Sequence, residues 1–259
     1  MKYITYIFIF ISIPLFSQNN INTKLIIKTQ LRANDIVGID NFNDVVYIQN
    51  NSLEINRTTG KINYNNAQLG EITSANAFNP LKINVFYKDF GTVVILDNRL
   101  SEITKINFNT LRPFRNISHI STGNDNTIWC FNQDNQQLEL FDYRTNTTRV
   151  KTLPINENVV AITSNYNTCW LLTERYLYVY NYFGSLLKKM KNNGYTSLRE
   201  SNGNIVLKKD NSLFYLKNNT ENTIPIELPN LLINRFFVTN ETLYIYDDEF
   251  LHQYQLINE

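Results

Sequence analysis

Glycine, cysteine and histidine are all scarce in this chain of 259 residues, which has only 8 Gly, 2 Cys and 2 His. The scarcity of glycine argues against a glycine-rich loop that would cradle phosphates, and no Gly-x-Ser-x-Gly turn presents a nucleophilic serine. A metal centre built on imidazole needs at least two histidines that converge. His119 and His252 are the only candidates, and they stand far apart in the chain. The composition therefore favours a protein without catalytic residues, cofactor or metal.

An excess of positive charge is also missing. The chain has 24 Lys and Arg against 23 Asp and Glu, and without residues 1–18, which hold only Lys2, the two signs are equal. Proteins that bind nucleic acids carry a basic stripe that neutralises phosphates, so we predict no nucleic-acid partner. The small cluster of Lys188, Lys189 and Lys191 is interpreted as the solvated end of a strand.

Long hydrophobic runs are absent except at the N-terminus. Lys2, the apolar residues 4–16 and the Ser-Gln pair at 17–18 are typical of a secretory signal peptide, which we predict over residues 1–18. A membrane anchor is the less favoured alternative, because the apolar run is shorter than the ~20 residues that span a bilayer and Pro14 interrupts it. We therefore expect an exported protein that does not itself span a membrane once the signal is removed.

Short β-branched and aromatic runs, separated by turns rich in Asn, Asp and Gly, fill the rest of the chain. No stretch shows a sustained apolar i, i+3, i+4 pattern, so the sequence indicates an all-β fold. About forty asparagines stand beside the few glycines, and asparagine tolerates the left-handed backbone angles of tight turns. We expect asparagine to occupy many of the turn positions with left-handed backbone angles that glycine would otherwise occupy.

A repeat emerges when the chain is aligned on residues 123–143, which contain a polar turn, a strand, a second polar turn and a second strand. Copies of the first strand occur at residues 45–48, 93–96, 128–131, 169–172, 205–208 and 243–246. Their spacing averages about 40 residues, which is typical of four-stranded propeller blades. These strands are apolar at nearly every position, with Lys208 as an exception, and we therefore expect both of their faces to be buried.

Weaker strands surround the copies. They precede the copies at residues 36–39, 83–87, 117–120, 159–162, 196–198 and 236–238, and follow some of them at 149–153, 185–190 and 223–227. The last copy lacks one strand, whereas residues 24–31 form a strand that belongs to no copy. We predict a six-bladed β-propeller with four antiparallel strands per blade, in a single domain over residues 19–259. The strand near residues 24–31 would join the last blade and close the ring, which removes free sheet edges.

Residues 124–129, Asn-Asp-Asn-Thr-Ile-Trp, and residues 140–142, Leu-Phe-Asp, resemble repeats of the two-component-regulator and streptogramin-lyase-like propellers. Such repeats place a Gly/Asn-Asp-Gly/Asn turn before an Ile/Leu-Trp strand, and a later hydrophobic strand ends in Asp. The match is fair around Trp170, whereas Val94, Val206 and Tyr244 hold the tryptophan position in other copies. The resemblance implies the fold without the lyase residues, and this fold hosts lyases, lactonases, sensors and scaffolds.

His119 and a row of tyrosines are the candidate interaction residues. His119 lies in a predicted innermost strand and could face the central channel, although a structural or solvent-facing histidine is the favoured interpretation. Tyrosine stripes occur at interfaces and also between blades with their hydroxyls at the rim, and we favour the second for the stripe as a whole. The stripe comprises Tyr176, Tyr178, Tyr180 and Tyr182. The acidic pairs Asp40/Asp44 and Asp247/Asp248 are interpreted as turn residues rather than calcium ligands.

The two cysteines are predicted to be buried and free. Trp129 aligns with Trp170, so Cys130 follows the tryptophan in one copy and Cys169 precedes it in the other. Both thiols then project from the same face of their own sheets. Neighbouring blades meet with opposite faces, and a sheet should therefore separate the two thiols.

We interpret the chain as a non-catalytic protein-interaction module of the cell envelope, periplasmic or associated with the outer membrane. An accessory subunit of an outer-membrane secretion or assembly machine is one concrete form, since the composition resembles that of exported Bacteroidetes proteins. Two alternatives stay open: a lactonase- or lyase-like enzyme or ligand-binding propeller with a metal in the channel, and a carbohydrate-binding module that uses exposed Tyr and Trp. Three or more Asp, Glu, Asn or His side chains at one level of the channel would favour the enzyme. An apolar patch on one face would favour binding.

Overall fold

The computed structural model describes residues 20–40 and 44–257, so the predicted signal peptide lies outside the described residues. These residues form 24 β-strands and one 3-10 helix at Ala67–Leu69. The first strand, β1, spans Asn22–Gln30, and the other strands follow in groups. In this part of the chain no helix has the length and apolar character that crossing a bilayer requires.

Each group of strands forms one antiparallel four-stranded sheet, or blade. Blade 1 contains β2 (Asp35–Ile39), β3 (Val45–Gln49), β4 (Ser52–Arg57) and β5 (Gly60–Tyr64). Blade 2 contains β6 (Ser74–Asn76), β7 (Ile83–Tyr87), β8 (Thr92–Leu96) and β9 (Glu102–Asn107). Blade 3 contains β10 (Ile117–Thr122), β11 (Thr127–Asn132), β12 (Gln137–Asp142) and β13 (Thr147–Lys151).

The remaining three blades follow the same plan. Blade 4 contains β14 (Val159–Ser164), β15 (Thr168–Thr173), β16 (Tyr176–Asn181) and β17 (Leu186–Lys191). Blade 5 contains β18 (Ser197–Ser201), β19 (Asn204–Lys209), β20 (Ser212–Leu216) and β21 (Thr223–Pro225). Blade 6 contains β22 (Arg235–Thr239), β23 (Thr242–Tyr246) and β24 (Phe250–Ile257), with β1 paired to β24.

The blades are arranged in a closed ring. Their innermost strands, β2, β6, β10, β14, β18 and β22, lie around a central channel, and the first and last of them contact each other. A separate apolar core fills the space between each pair of adjacent blades. The fold is a six-bladed β-propeller. The predicted fold class is confirmed.

The first strand of the chain closes the ring, as predicted. β1 pairs with β24 along its length, from Asn22 opposite Ile257 to Gln30 opposite Phe250, with one irregularity between Leu25 and Ile27. β24 pairs in turn with β23, so β1 becomes the outermost strand of blade 6. Each of the six sheets thereby reaches four strands, and the two ends of the described chain are held in one sheet.

The predicted strand order is wrong in blade 2. The strand at residues 93–96 is β8, the third strand of its blade, and Val94 therefore does not hold the tryptophan position. The second strand is β7, which was expected to be innermost, and the innermost strand is β6. β6 has only three residues, Ser-Ala-Asn, all half-buried, so no apolar run marks it in the sequence.

Asparagine does replace glycine in the turns. Twelve described residues other than glycine have a positive φ, and nine of these are Asn or Asp. Asp125 is one of them, with φ 50°, in the turn between β10 and β11. Short polar side chains reach nearby backbone groups, which makes this conformation tolerable for Asn and Asp.

Both cysteines are free and buried, as predicted. Cys130 packs in the core between blades 2 and 3, and Cys169 packs in the core between blades 3 and 4. The sheet of blade 3 therefore separates the two cores. Burial raises the pKa of both thiols above the usual value, so they behave as small apolar side chains.

A disulfide across the closing pair of strands should stabilise the ring. Lys24 and Gln255 face each other across β1 and β24, and both are exposed. In the variant with Lys24→Cys and Gln255→Cys, the bridge would close a loop that contains almost the whole chain, for which chain entropy gives a stabilisation of up to ~5 kcal/mol. We expect a melting temperature several degrees above that of the native protein, measured by calorimetry.

The gain should disappear when the double variant is reduced, and the single variant Lys24→Cys should melt like the native protein. A double variant that oxidises fully without any rise in melting temperature would contradict the role assigned to the pairing of β1 and β24.

Candidate functional site

The two faces of the ring are built from different segments. Because successive strands are antiparallel, the turns between the first and second strands of the blades all lie on one face, which we call the hairpin face. The segments that join one blade to the next lie on the opposite face, which we call the connector face. Described hairpin-face turns are 77–82, 123–126, 165–167, 202–203 and 240–241. Connector-face segments are 31–34, 65–73, 108–116, 152–158, 192–196 and 226–234.

The central channel contains a cavity of about 320 Å³ to which all six innermost strands contribute side chains. Its wall combines polar and apolar side chains, and the apolar ones include Val37, Ile120, Ile162 and Phe237. His119 also lines it, from the middle of β10, where its Nδ1 lies 2.9 Å from the Ser118 hydroxyl. His119 therefore lies in the channel position that its strand made possible, while any functional role stays a prediction.

The channel holds His119 in its neutral form at physiological pH. Burial lowers the pKa of the imidazole to about 4, and the positive charge of Lys88 acts in the same direction. A hydrogen bond with the backbone of Val160 opposes the shift only in part. A neutral imidazole can donate or accept a hydrogen bond, but it does not supply a positive charge for an anion.

Most polar side chains near the hairpin-face end of the channel already bind one another. Thr122 donates to Asn76 Oδ1 at 2.8 Å and accepts from Asn84 Nδ2 at 2.9 Å, which joins blades 2 and 3. The hydroxyls of Ser164 and Ser121 lie 2.7 Å apart and join blades 3 and 4. These groups hold neighbouring blades together and are not left free for chemistry.

Glu200 makes the next contact of this kind around the ring. Its Oε1 accepts hydrogen bonds from Asn165 Nδ2 at 2.9 Å and from the backbone N–H of Gly203 at 2.7 Å. Blades 4 and 5 are joined in this way. Of the residues that the structure describes, no three His, Cys, Asp or Glu side chains cluster closely enough to hold a metal ion.

His252 lies away from the channel, in β24. Its Nε2 is 2.7 Å from Asp247 Oδ2, and its ring stacks on Tyr254. Asp247 Oδ1 accepts hydrogen bonds from the backbone N–H groups of Glu249 and Phe250, which is the behaviour of a turn residue. Asp40 has the same character, because its Oδ1 accepts from the N–H of Asp44 at 2.9 Å.

The two most deeply buried glutamates are structural as well. Glu139 in β12 forms a 3.2 Å ion pair with Arg115, a residue of the connection between blades 2 and 3, and accepts from Thr148 and Asn132. Glu54, the corresponding residue of blade 1, forms an ion pair with Lys61 on the outermost strand. Both carboxylates are therefore already paired with a nearby cation, Arg115 for Glu139 and Lys61 for Glu54.

The tyrosine stripe divides between core and surface. Tyr178 and Tyr180 are buried in the core between blades 3 and 4, and Tyr176 packs against the same core. The hydroxyl of Tyr178 donates to Glu157 at 3.0 Å. Tyr182 follows the strand, is 37% exposed and stacks against Phe183. Only the outer end of the stripe is therefore accessible to a partner, and its role as an interaction surface stays a prediction.

Two aromatic residues that the sequence pattern did not single out meet at the hairpin-face mouth of the channel. Phe78 of blade 2 and Tyr166 of blade 4 contact each other edge to face, with ring centroids 5.0 Å apart, although blade 3 separates their blades in the chain. They are 40% and 42% exposed. We call this pair the aromatic pair. Both residues lie in polar turns, where no hydrophobic period marks them.

A groove of about 550 Å³ continues from the aromatic pair between blades 4 and 5. Its floor is apolar and includes Trp170, Met190 and Leu216. Its rim carries amide groups of several asparagines and the amino groups of Lys188 and Lys217. Phe78 and Glu200 line both the groove and the channel, so the two spaces adjoin at the aromatic pair.

No known family model and no curated protein matches this sequence. Solved structures do match the fold, among them a streptogramin B lyase at 12% identity and TM-score 0.64, over 90% of this chain and 88% of that one. Virginiamycin B lyase from Staphylococcus aureus matches at 14% identity and TM-score 0.60, over 85% of this chain and 79% of that one. A chain of the Mitotic Checkpoint Complex matches at 12% identity and TM-score 0.60, over 100% of this chain and 99% of that one. At these identities the likeness shows the propeller fold alone.

His119 should titrate near pH 4 rather than near its ordinary pKa of 6.5. Its pKa is lower in the folded than in the unfolded chain, so the unfolded state binds the proton first and stability falls as the pH drops from about 6.5 to about 4. The measurement is an NMR titration of the imidazole resonances, which come from only two histidines.

The variant His119→Asn assigns the resonance and should also flatten the stability profile between those two pH values. A midpoint for His119 near 6.5 would show that its ring is exposed to solvent and does not lie in the channel.

Proposed function

We propose that this protein is an exported, non-catalytic binding propeller of the cell envelope, and that a partner protein docks on its hairpin face. The aromatic pair and the groove beside it form the proposed docking surface. From the resemblance of its composition to that of exported Bacteroidetes proteins, we propose that it is an accessory subunit of an outer-membrane secretion or assembly machine, in the periplasm or at the outer membrane.

The single observation that carries the proposal is the exposed aromatic pair, Phe78 and Tyr166, at the edge of a groove with an apolar floor. Aromatic residues dominate the binding energy of protein interfaces when they enter a pocket that excludes water. Here the rings are already held against each other, so little side-chain freedom remains to be lost on binding. A rigid propeller presents such a surface without rearrangement.

The charges of the groove favour an acidic segment of the partner. Lys188 and Lys217 stand at its rim, and the Nζ of Lys188 donates to the backbone oxygen of Thr220 across the two blades. Glu200 is the carboxylate in the groove, and Asn165 and Gly203 already bind it. An extended segment with apolar anchors and acidic flanks would therefore complement both the floor and the rim.

The alternatives receive less support from the same residues. A carbohydrate-binding module would present exposed Tyr and Trp faces, but Trp129 and Trp170 are 1% and 6% exposed, and the ring of the exposed Tyr166 packs against Phe78. A lyase-like enzyme would place several polar ligands at one level of the channel. The polar groups at the hairpin-face end of the channel belong to hydrogen bonds between blades, and the fold likeness to lyases does not transfer their activity.

The variants Phe78→Ala and Tyr166→Ala should each abolish retention of the partner in an affinity pull-down from detergent-solubilised membranes. Truncation of an aromatic anchor at the centre of an interface weakens binding by about 2 kcal/mol or more, which is roughly 30-fold. Because both rings are half-exposed, the melting temperature should change little.

Phe90→Ala is the matched control, because Phe90 is 46% exposed but lies in the β7–β8 turn on the connector face. The same partner should be retained by this variant and lost by the other two. If no stable partner is recovered, or if all three variants retain it equally, the proposed docking surface is wrong.

A further inference from the structure

Charged side chains of both signs meet near the connector-face end of the channel. Asp35 at the start of β2 and Arg235 at the start of β22 form an ion pair, with Arg235 Nε 3.0 Å from Asp35 Oδ1. Arg199 on β18 lines the cavity beside them. Lys208 on β19 is near enough for the charge of Arg235, together with burial, to lower its pKa. Three cations and one carboxylate therefore lie in this part of the ring, and the carboxylate pairs with Arg235.

Arg199 is the cation of this group that faces the cavity with few partners. Its side chain is half-buried. Among the described residues, the guanidinium donates one hydrogen bond, from Nη1 to the backbone oxygen of its neighbour Leu198, at 3.1 Å. The guanidinium has five N–H donors. Phe236 approaches it with the ring centroid 5.9 Å away, and the Asp35 carboxylate contacts Arg235 instead.

A charged guanidinium with so few hydrogen-bond partners lowers the stability of the folded protein. A half-buried guanidinium loses hydration, and its charge needs a counter-ion or a set of acceptors to offset the loss. In agreement with this, burial lowers the pKa of Arg199, the nearby Arg235 lowers it further, and Asp35 compensates only in part. Among the described residues that line the cavity, the carboxylates are Asp35 and Glu200, and Glu200 is already bound by Asn165 and Gly203.

We propose that the channel binds a small organic carboxylate, whose anionic head lies on Arg199 and whose apolar body lies against the channel wall. A planar guanidinium matches a carboxylate through two parallel hydrogen bonds. The wall beyond it offers Val37, Val160 and Phe237, and Lys88 adds a second cation at the edge of the cavity. About 320 Å³ is at the lower end of the range for small-molecule sites, so the ligand is small.

This site is independent of the aromatic pair. Asp35 lies at the connector-face end of β2 and Arg199 in the middle of β18, whereas Phe78 and Tyr166 lie at the hairpin-face mouth of the same channel. A ligand could therefore enter from the connector face while a partner protein occupies the hairpin face. The carboxylate site can fail its test without affecting the proposed docking surface, and the reverse also holds.

The test is calorimetric titration of the purified chain with benzoate, with benzamide as the uncharged analogue and inorganic phosphate as an anion without an apolar body. We expect saturable binding of benzoate and at least ~10-fold weaker binding of both other probes, because each lacks one of the two contacts. The variant Arg199→Met should bind benzoate at least ~10-fold more weakly than the native chain does. Arg144→Gln, on an exposed turn of blade 3, should bind benzoate like the native chain.

Two further measurements keep the test decisive. Without ligand, Arg199→Met should melt at or above the native temperature, because it removes an incompletely compensated charge. The variant Arg235→Gln changes an exposed residue and should also bind benzoate more weakly. Loss of Arg235 leaves the carboxylate of Asp35 without its present partner, so that it can pair with Arg199 instead. The proposal is overturned if benzoate and benzamide bind alike, if phosphate binds as well as benzoate, if either variant keeps native affinity, or if Arg199→Met melts several degrees lower.

Discussion

The pairing of β1 with β24 is the interaction on which the rest of the ring depends. Every other blade is formed by four strands that are consecutive in the chain, so its sheet is local. Blade 6 alone joins the beginning of the described chain to its end. Without this pairing the outer edge of β24 would be exposed, and blades 6 and 1 would be held together by the apolar core and the ion pair between them but by no sheet hydrogen bonds. The position of every channel residue follows from this closure.

Two kinds of contact then hold the blades in place. Apolar cores between adjacent sheets supply most of the burial, since the hydrophobic effect scales with the apolar area removed from water. Polar contacts between innermost strands, such as Thr122 with Asn76 and Asn165 with Glu200, fix the register of neighbouring blades around the channel. Because these groups are satisfied within the ring, the partly satisfied Arg199 stands out against them.

Most of the fold was predictable from the repeat pattern, because turn residues and short apolar strands recur at a spacing typical of propeller blades. It failed at β6, where the innermost strand of blade 2 is too short and polar to leave an apolar signal. The cysteine prediction succeeded because alternation along a strand determines which face a side chain occupies. The same alternation could not reveal Phe78, Tyr166 or Arg199 as neighbours, because the contacts that define their sites join residues of different blades.

The channel site and the docking surface differ in the physical term that would drive binding. At the connector face, charge dominates, so affinity would fall as salt screens Arg199 and its neighbours. At the hairpin face, the aromatic pair and the apolar floor dominate, and affinity would respond to temperature more than to salt. The two proposed sites would therefore be distinguished by how their affinities respond to salt and to temperature.

The exposed apolar run in β1 has a consequence for how the chain is made. Leu25, Ile26 and Ile27 are each about half exposed even in the finished ring, and Lys24 and Lys28 flank them. Synthesis proceeds from the N-terminus, so this strand emerges first but finds its place only when β24, the last strand, has been made. During that interval an unpaired apolar strand must be kept from associating with other chains. The flanking lysines are suited to that task, since like charges oppose pairing between two copies of the same edge.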